Sequence, residues 1–506
     1  MGEERETERL AFNGVDGAGG GYLLPPLSAR EVARVARGER LAGDPLPGIQ
    51  ERRAYREDLR RWHRYLLDAP GGRGTAEGID PRDLAQAGWG VVFAHDADPA
   101  VREALGELLA HRKAQAGARK ERYYREFAGP DGYRPGESKG AFLARHGAGP
   151  GPADPRRVPY YLLLVGGPEA LPWAFQYQLD VQYAVGRLHL PTPDAYARYA
   201  RSVVAAETGA GGALAPRAAF FGAQNADDRA TRLSATELVA PLAQAFRARY
   251  PGWAVEAEVG AGATKARLGA LLGGPATPAL LFSASHGVGF PSGDPRQAPH
   301  QGALLCQDWP GPQEWRQALP PEFYFGAEDV QEGAGLLGLI AFHFACYGAG
   351  TPRLDDFAHQ GPLNAQGVQQ RQEIAPEAFV ARLPQRLLGH PRGGALAVVG
   401  HVERAWGYSF RWGQAGPQRG TFESALWRLA EGHPIGSAME FFNERYAALS
   451  TSLSAELEDI KFGKVPDDLE LAGLWTAHND ARSYVVLGDP AVRLPLAAGE
   501  PAGGRG

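Results

Sequence analysis

Cysteine is scarce in this chain: Cys306 and Cys346 are the only two among 506 residues. Two thiols exclude both a disulfide framework and a four-cysteine zinc site. Lysine is scarce as well, with 6 among the 53 basic residues; the matching surplus of Arg, Ala, Gly and Pro fits GC-rich coding and carries no functional reading. A charge surplus is also missing. The net charge is −5, so no global basic field points to nucleic acid or to an anionic membrane surface. The uncharged run 333–352 has an apolar core of only about ten residues, where a bilayer span needs roughly 20. It reads as a buried parallel strand between Gly-rich turns. The charged start, residues 1–9, lacks the apolar core of a signal peptide, so the expectation is a soluble, cytoplasmic protein.

What is present is an ordinary globular composition, 44% hydrophobic and 22% charged, on a chain long enough for two or three domains. Residues 1–88 are polar and rich in Arg and Gly, with one helix expected near 52–67. They read as a loosely built, regulatory N-terminal region. From 88 the pattern changes: a strand at 88–94, a helix within 96–116, a strand at 158–165 and a helix at 193–208. A Gly/Ala linker at 209–216 then separates this smaller unit, 89–210, from a larger one, 211–500. The larger unit shows strands at 217–221, 253–259, 279–284, 336–345, 395–399 and 483–487. Between them lie helices at 231–249, 264–272, 421–430 and 435–449. Strands alternating with helices predict an α/β fold with a mainly parallel sheet flanked by helices. The loop 287–332, rich in Trp, Pro and Gln, is long enough to be functional. Trp309, Trp315 and Tyr324 in it either contact a peptide or anchor the loop, and the Gln-rich stretch 360–372 reads as an exposed cleavage site.

Two strand ends carry the chemistry. One apolar strand runs out into His286-Gly287, and another runs out into Cys346 and a Gly-rich turn. In a parallel sheet, ligands and catalytic groups gather beyond the carboxyl ends of the strands, so neighbouring strands would set His286 and Cys346 across one crevice. An imidazole beside a thiol can draw off its proton and make it a nucleophile. Gly287 leaves its backbone N–H open toward a developing oxyanion. Each residue alone reads more simply as a buried apolar thiol or a structural histidine; their joint placement favours catalysis. Cys306, with no glycine turn behind it, reads as packing. His343 stands three residues before Cys346, a separation that puts the two on opposite faces of a strand, and no metal site is expected.

These residues resemble the caspase-like cysteine peptidases, the clan that includes caspases, gingipains and bacterial CHAT-domain peptidases. The resemblance runs from about residue 88 to 495. It includes Leu162-Leu-Leu-Val-Gly-Gly-Pro168, Leu179-Asp-Val-Gln-Tyr-Ala-Val-Gly-Arg187, which looks like a gingipain first subdomain, and Val486-Leu-Gly-Asp-Pro490. It implies a caspase-like catalytic subdomain preceded by a smaller α/β one. Cys346 would be the nucleophile, His286 the proton shuttle, and the N–H groups of Gly287 and Cys346 the oxyanion hole. Peptide bonds of a protein or peptide substrate would be hydrolysed through a thioester without a cofactor. The family further implies activation by a partner chain, a ligand or processing, and a place in bacterial defence or regulated death. Asp227 and Asp228, in the loop that lines the pocket in caspases, would suit a basic P1 side chain through a charge-assisted pair. The same two residues also suit capping of a helix that starts near Arg229. Phe344 stands two before the nucleophile, where caspases and metacaspases carry a polar or acidic substrate-reading residue, and so departs from their pattern. Asp294, Asp355, Asp356 and Glu403 are further acidic candidates. Alternatives to the peptidase are a non-catalytic scaffold of the same fold and another thiol hydrolase or transpeptidase.

Overall fold

The computed structural model describes residues 9–10, 13–39, 74–357, 371–412 and 416–496. The helix expected near 52–67 and most of the stretch 360–372 lie outside them. At the centre is one ten-stranded sheet. In chain order its strands are β1 (Trp89–Phe93), β2 (Tyr124–Phe127), β3 (Tyr161–Val165), β4 (Ala184–Leu188), β5 (Arg217–Gly222), β6 (Ala254–Val259), β7 (Leu280–Ala284), β8 (Ile340–Phe344), β9 (Ala397–His401) and β10 (Tyr484–Gly488). Across the sheet they stand in the order β2-β1-β3-β4-β10-β9-β8-β7-β5-β6. Every neighbouring pair is parallel except β9 with β10. The fold is therefore α/β with a mainly parallel sheet flanked by helices.

The interior strands follow from their composition. In β3, β7 and β8 every residue is buried, as nearly continuous apolar runs require in a parallel sheet covered on both faces. At the edge, β6 alternates Ala-Val-Glu-Ala-Glu-Val, and its Glu256 and Glu258 bind Arg267 at 2.6 and 3.0 Å. Charge on an edge strand discourages pairing with another chain. No helix among the described residues is long and apolar enough to cross a membrane; the uncharged run at 333–352 contains β8 instead.

The two α/β units share this sheet because the last strand bridges them. β10 pairs in parallel with β4, Val486 opposite Gly186, and antiparallel with β9, Val486 opposite Val399. Gly186 makes the first pairing possible, since a Cβ there would stand 2.2 Å from the Gly488 carbonyl oxygen. Strands β2 and β4 are not anticipated by the apolar pattern. β2 is a four-residue edge strand of mixed polarity, and β4 has Gly186 and Arg187 in its middle.

Near the N-terminus, the helix Ala29–Ala36 begins at a capping box formed by Ser28 and Glu31. Its Val32 and Val35 share a buried cluster with Leu471 and Trp475 of the helix Asp468–Arg482. This docking anchors the chain just after residues 13–23, which lie over the carboxyl ends of the strands.

Candidate active site

Four neighbouring strands, β5, β7, β8 and β9, run in parallel, and each delivers part of one cluster just past its carboxyl end. Asp228 follows β5, His286 follows β7, Cys346 follows β8, and Glu403, Arg404 and Ala405 follow β9. β7 and β8 are in register at Ala284 and Phe344, so two residues further on His286 stands level with Cys346. Gly287 lies against the Cys346 backbone, and a Cβ on it would come 1.8 Å from the Cys346 carbonyl oxygen. Only glycine fits there.

His286 is fully buried and bonded at both ring nitrogens. Its Nε2 is 2.6 Å from Asp228 Oδ2, and its Nδ1 accepts the Gly14 N–H at 2.6 Å. A backbone N–H can only donate, so Nδ1 carries the lone pair and the neutral ring holds its proton on Nε2, facing Asp228. The Tyr22 and Trp309 rings flank the imidazole at centroid distances of 5.9 and 6.0 Å. Trp309 thus belongs to the wall behind His286.

Asp228 caps the helix Arg229–Leu233, accepting from the N–H groups of Ala230 and Thr231. It also takes hydrogen bonds from the Thr231 hydroxyl at 2.6 Å and the Tyr22 hydroxyl at 2.9 Å. Burial alone would raise its pKa, but the neighbouring His286 together with the Thr231 and Tyr22 bonds holds the carboxyl well below the usual range. Burial, reinforced by Asp228, pushes the Tyr22 hydroxyl up.

Cys346 is fully buried. Its Sγ receives the Ala405 N–H at 3.1 Å and meets the Asn13 carbonyl oxygen. Burial pushes the thiol up to about 12, against the smaller opposing pull of the Ala405 contact and Arg404. Beside it, Arg404 forks between Asp355 at 3.0 Å and Glu403 at 2.9 Å. Glu403 sits at a left-handed φ of 72°, its carbonyl accepting the Tyr347 N–H at 2.6 Å. Among the described residues, neither the Gly287 nor the Cys346 backbone N–H donates to a protein acceptor.

Thus His286, Gly287 and Cys346 come together. Asp228 and Phe344 have their partners within the protein rather than facing a substrate. The oxygens of Asp228 are taken by the helix cap, Tyr22 and His286, which leaves no free carboxylate to read a basic side chain. Asp227 is exposed, at φ 54°. Phe344 is a core residue, its ring 5.7 Å from Phe410 and 6.3 Å from Phe422. The Cys306 thiol donates to the Leu304 carbonyl at 3.3 Å, and burial pushes it up. His343 meets the Ser283 hydroxyl at 2.7 Å, and burial lowers it to about 4. Sequence reasoning does not find Ala405, which acts only through its backbone. Nor does it find residues 13–22, where five glycines leave no apolar period to read.

No family model and no curated protein matches the chain. Solved structures do. One, described as the structure of a protease, aligns at TM-score 0.45 and 11% identity over 81% of this chain and 80% of that one. Another is the complex of Porphyromonas gingivalis RgpB pro- and mature domains, at TM-score 0.45 and 12% identity over 80% of each chain.

Proposed function

We propose that the protein is a cysteine endopeptidase that hydrolyses peptide bonds through a Cys346 thioester. The observation that carries this reading is that His286 Nδ1 and Cys346 Sγ contact adjacent groups of a single backbone amide, the N–H of Gly14 and the C=O of Asn13. A general base and a nucleophile that both reach one peptide unit are placed to act on the same peptide bond.

Each residue then has a task. The Cys346 proton passes to His286 Nδ1 as Sγ bonds to the substrate carbonyl carbon. The negative charge that develops on oxygen meets the N–H groups of Gly287 and Cys346; one such donor is typically worth about 10²–10³ in rate. The C–N bond breaks as Nδ1 returns the proton to the leaving amine. Water, deprotonated by the same nitrogen, then hydrolyses the thioester. Asp228 touches no reacting atom; it fixes the ring and stabilises the imidazolium. The Ala405 carbonyl accepts an N–H on the acyl side of the bond, and the Gly287 and Gly289 carbonyls accept N–H groups on the leaving side. Backbone hydrogen bonds on both sides suit an internal bond of an extended chain.

The test is to incubate wild type and Cys346→Ala with a diverse peptide library and to read the new termini by mass spectrometry. Cleavage by wild type alone supports the reading. Equal cleavage by both proteins, or no cleavage by wild type, contradicts it.

A further inference from the structure

The amide held between His286 and Cys346 belongs to the protein itself. Residues 13–17 lie in the cleft, with a two-residue strand at Val15–Asp16. The Asn13 N–H donates to the Ala405 carbonyl at 3.2 Å, the Val15 N–H to the Gly287 carbonyl at 3.2 Å, and the Gly17 N–H to the Gly289 carbonyl at 2.7 Å. Val15 and Asp16 pair in parallel with Val288 and Gly289. The chain then turns and comes back, with the Leu23 N–H on the Gly14 carbonyl at 3.1 Å and the Tyr22 hydroxyl on Asp228. Residues 13–23 therefore cover both catalytic groups and bury them.

The fit is close at every step. Gly14 has φ +140°, and a Cβ on it would stand 2.6 Å from Leu23 Cδ1 and 3.0 Å from Cys346 Sγ. A Cβ on Gly17 would stand 2.4 Å from the Phe290 ring. The Gly14 nitrogen, the atom that would leave, is 2.6 Å from His286 Nδ1.

Resting on the peptidase reading, we propose that the Asn13–Gly14 bond is the enzyme's own first substrate, cleaved in cis to open the cleft. Cys346 Sγ forms a thioester with the Asn13 carbonyl carbon, and the C–N bond to Gly14 breaks. The thiol proton passes through His286 Nδ1 to the new Gly14 amine. One water molecule then hydrolyses the thioester, which releases residues 1–13 ending in the Asn13 carboxylate and restores the thiol. Until then both catalytic groups are engaged by the same peptide unit. Residues 13 and 14 fill the place another peptide would have to take, so other substrates are excluded. After the cut, the piece ending at Asn13 is held only by noncovalent contacts, among them the pairing of Arg9–Leu10 with Leu27–Ser28, and its departure frees the acyl side of the cleft, while the chain from Gly14 onward stays tethered through its pairing with Val288–Gly289.

The experiment follows the intact mass and N-terminal sequence of purified full-length wild type and Cys346→Ala over time, with the peptide library added to parallel samples. Wild type is expected to convert to a chain starting at Gly14 plus a fragment ending at Asn13. The rate should be independent of protein concentration, and Cys346→Ala should stay whole. The variant also controls for spontaneous reaction at an Asn–Gly bond. A wild type that cuts library peptides but leaves Asn13–Gly14 intact overturns this proposal and spares the peptidase reading. Cutting of neither overturns both. Cleavage at Asn13–Gly14 in Cys346→Ala at the wild-type rate overturns the proposal too, whatever happens to the library.

Discussion

Gly287 stands against the backbone of Cys346, with room for a hydrogen and none for a methyl group: a Cβ there would lie 1.8 Å from the Cys346 carbonyl oxygen and 2.9 Å from its nitrogen. The contact sets the backbones of the two residues side by side next to the thiol. Neither atom in the clash belongs to a flexible side chain, so the strand ends must separate to admit a larger residue.

Gly287→Ala is accordingly expected to lower stability by about 1–3 kcal/mol, the usual cost of overpacking, and to abolish peptide cleavage by spoiling the oxyanion hole. Denaturant melts and library assays on the same preparation measure both effects. A variant of native stability with full activity would show that this approach of backbones is not needed.

Asp228→Asn separates the two tasks of one carboxylate. Asparagine caps helices about as well as aspartate, but its NH2 must face buried donors, so stability should fall by about 1–3 kcal/mol. The amide also no longer supplies the charge that faces His286 Nε2. The expected result is a fall in kcat on the order of 10²–10⁴ with KM nearly unchanged, and a pH–rate profile whose acidic limb is displaced. Unchanged kcat would reduce Asp228 to a helix cap.

Glu403 makes a pH prediction whose sign is opposite to that of an ordinary ion-paired carboxylate. Burial, followed by the nearby Asp355, raises it to about 7 in the folded protein, against roughly 4.3 in an unfolded chain. Between these values the unfolded state releases the proton more readily, so the contribution of Glu403 to stability declines as pH rises from about 4.3 to 7 and is level above that. Relative to Glu403→Gln, wild type should therefore lose stability across that window and run parallel to it beyond. Denaturation midpoints of the two proteins at closely spaced pH values test this; a difference that does not change with pH would contradict it.

The strands that build the site are legible in the sequence because they are apolar runs closed by chemistry-bearing residues. β7 ends two residues before His286 and β8 two before Cys346, and buried parallel strands must be apolar on both faces. Strand direction is not legible in such runs, which is why the antiparallel pairing of β9 with β10, and the joining of both α/β units into one sheet, emerge only in three dimensions. Asp228 shows a different limit. A single carboxylate before a helix reads equally as a cap or a ligand, and its partner His286 lies 58 residues away. The segment 13–17 shows the deepest limit. Its glycines are there for close approach to Leu23 nearby and to Cys346 and Phe290, which lie some 270–330 positions away, and they leave a sequence with no period at all.

The central claim is that Cys346, served by His286, is a nucleophile toward a peptide carbonyl. A peptidyl electrophile followed by tandem mass spectrometry of the labelled chain tests it most directly. The account predicts one adduct per chain, carried by Cys346, lost in Cys346→Ala and strongly reduced in His286→Ala. An adduct on Cys306, or a folded wild type whose Cys346 stays unmodified, would contradict it.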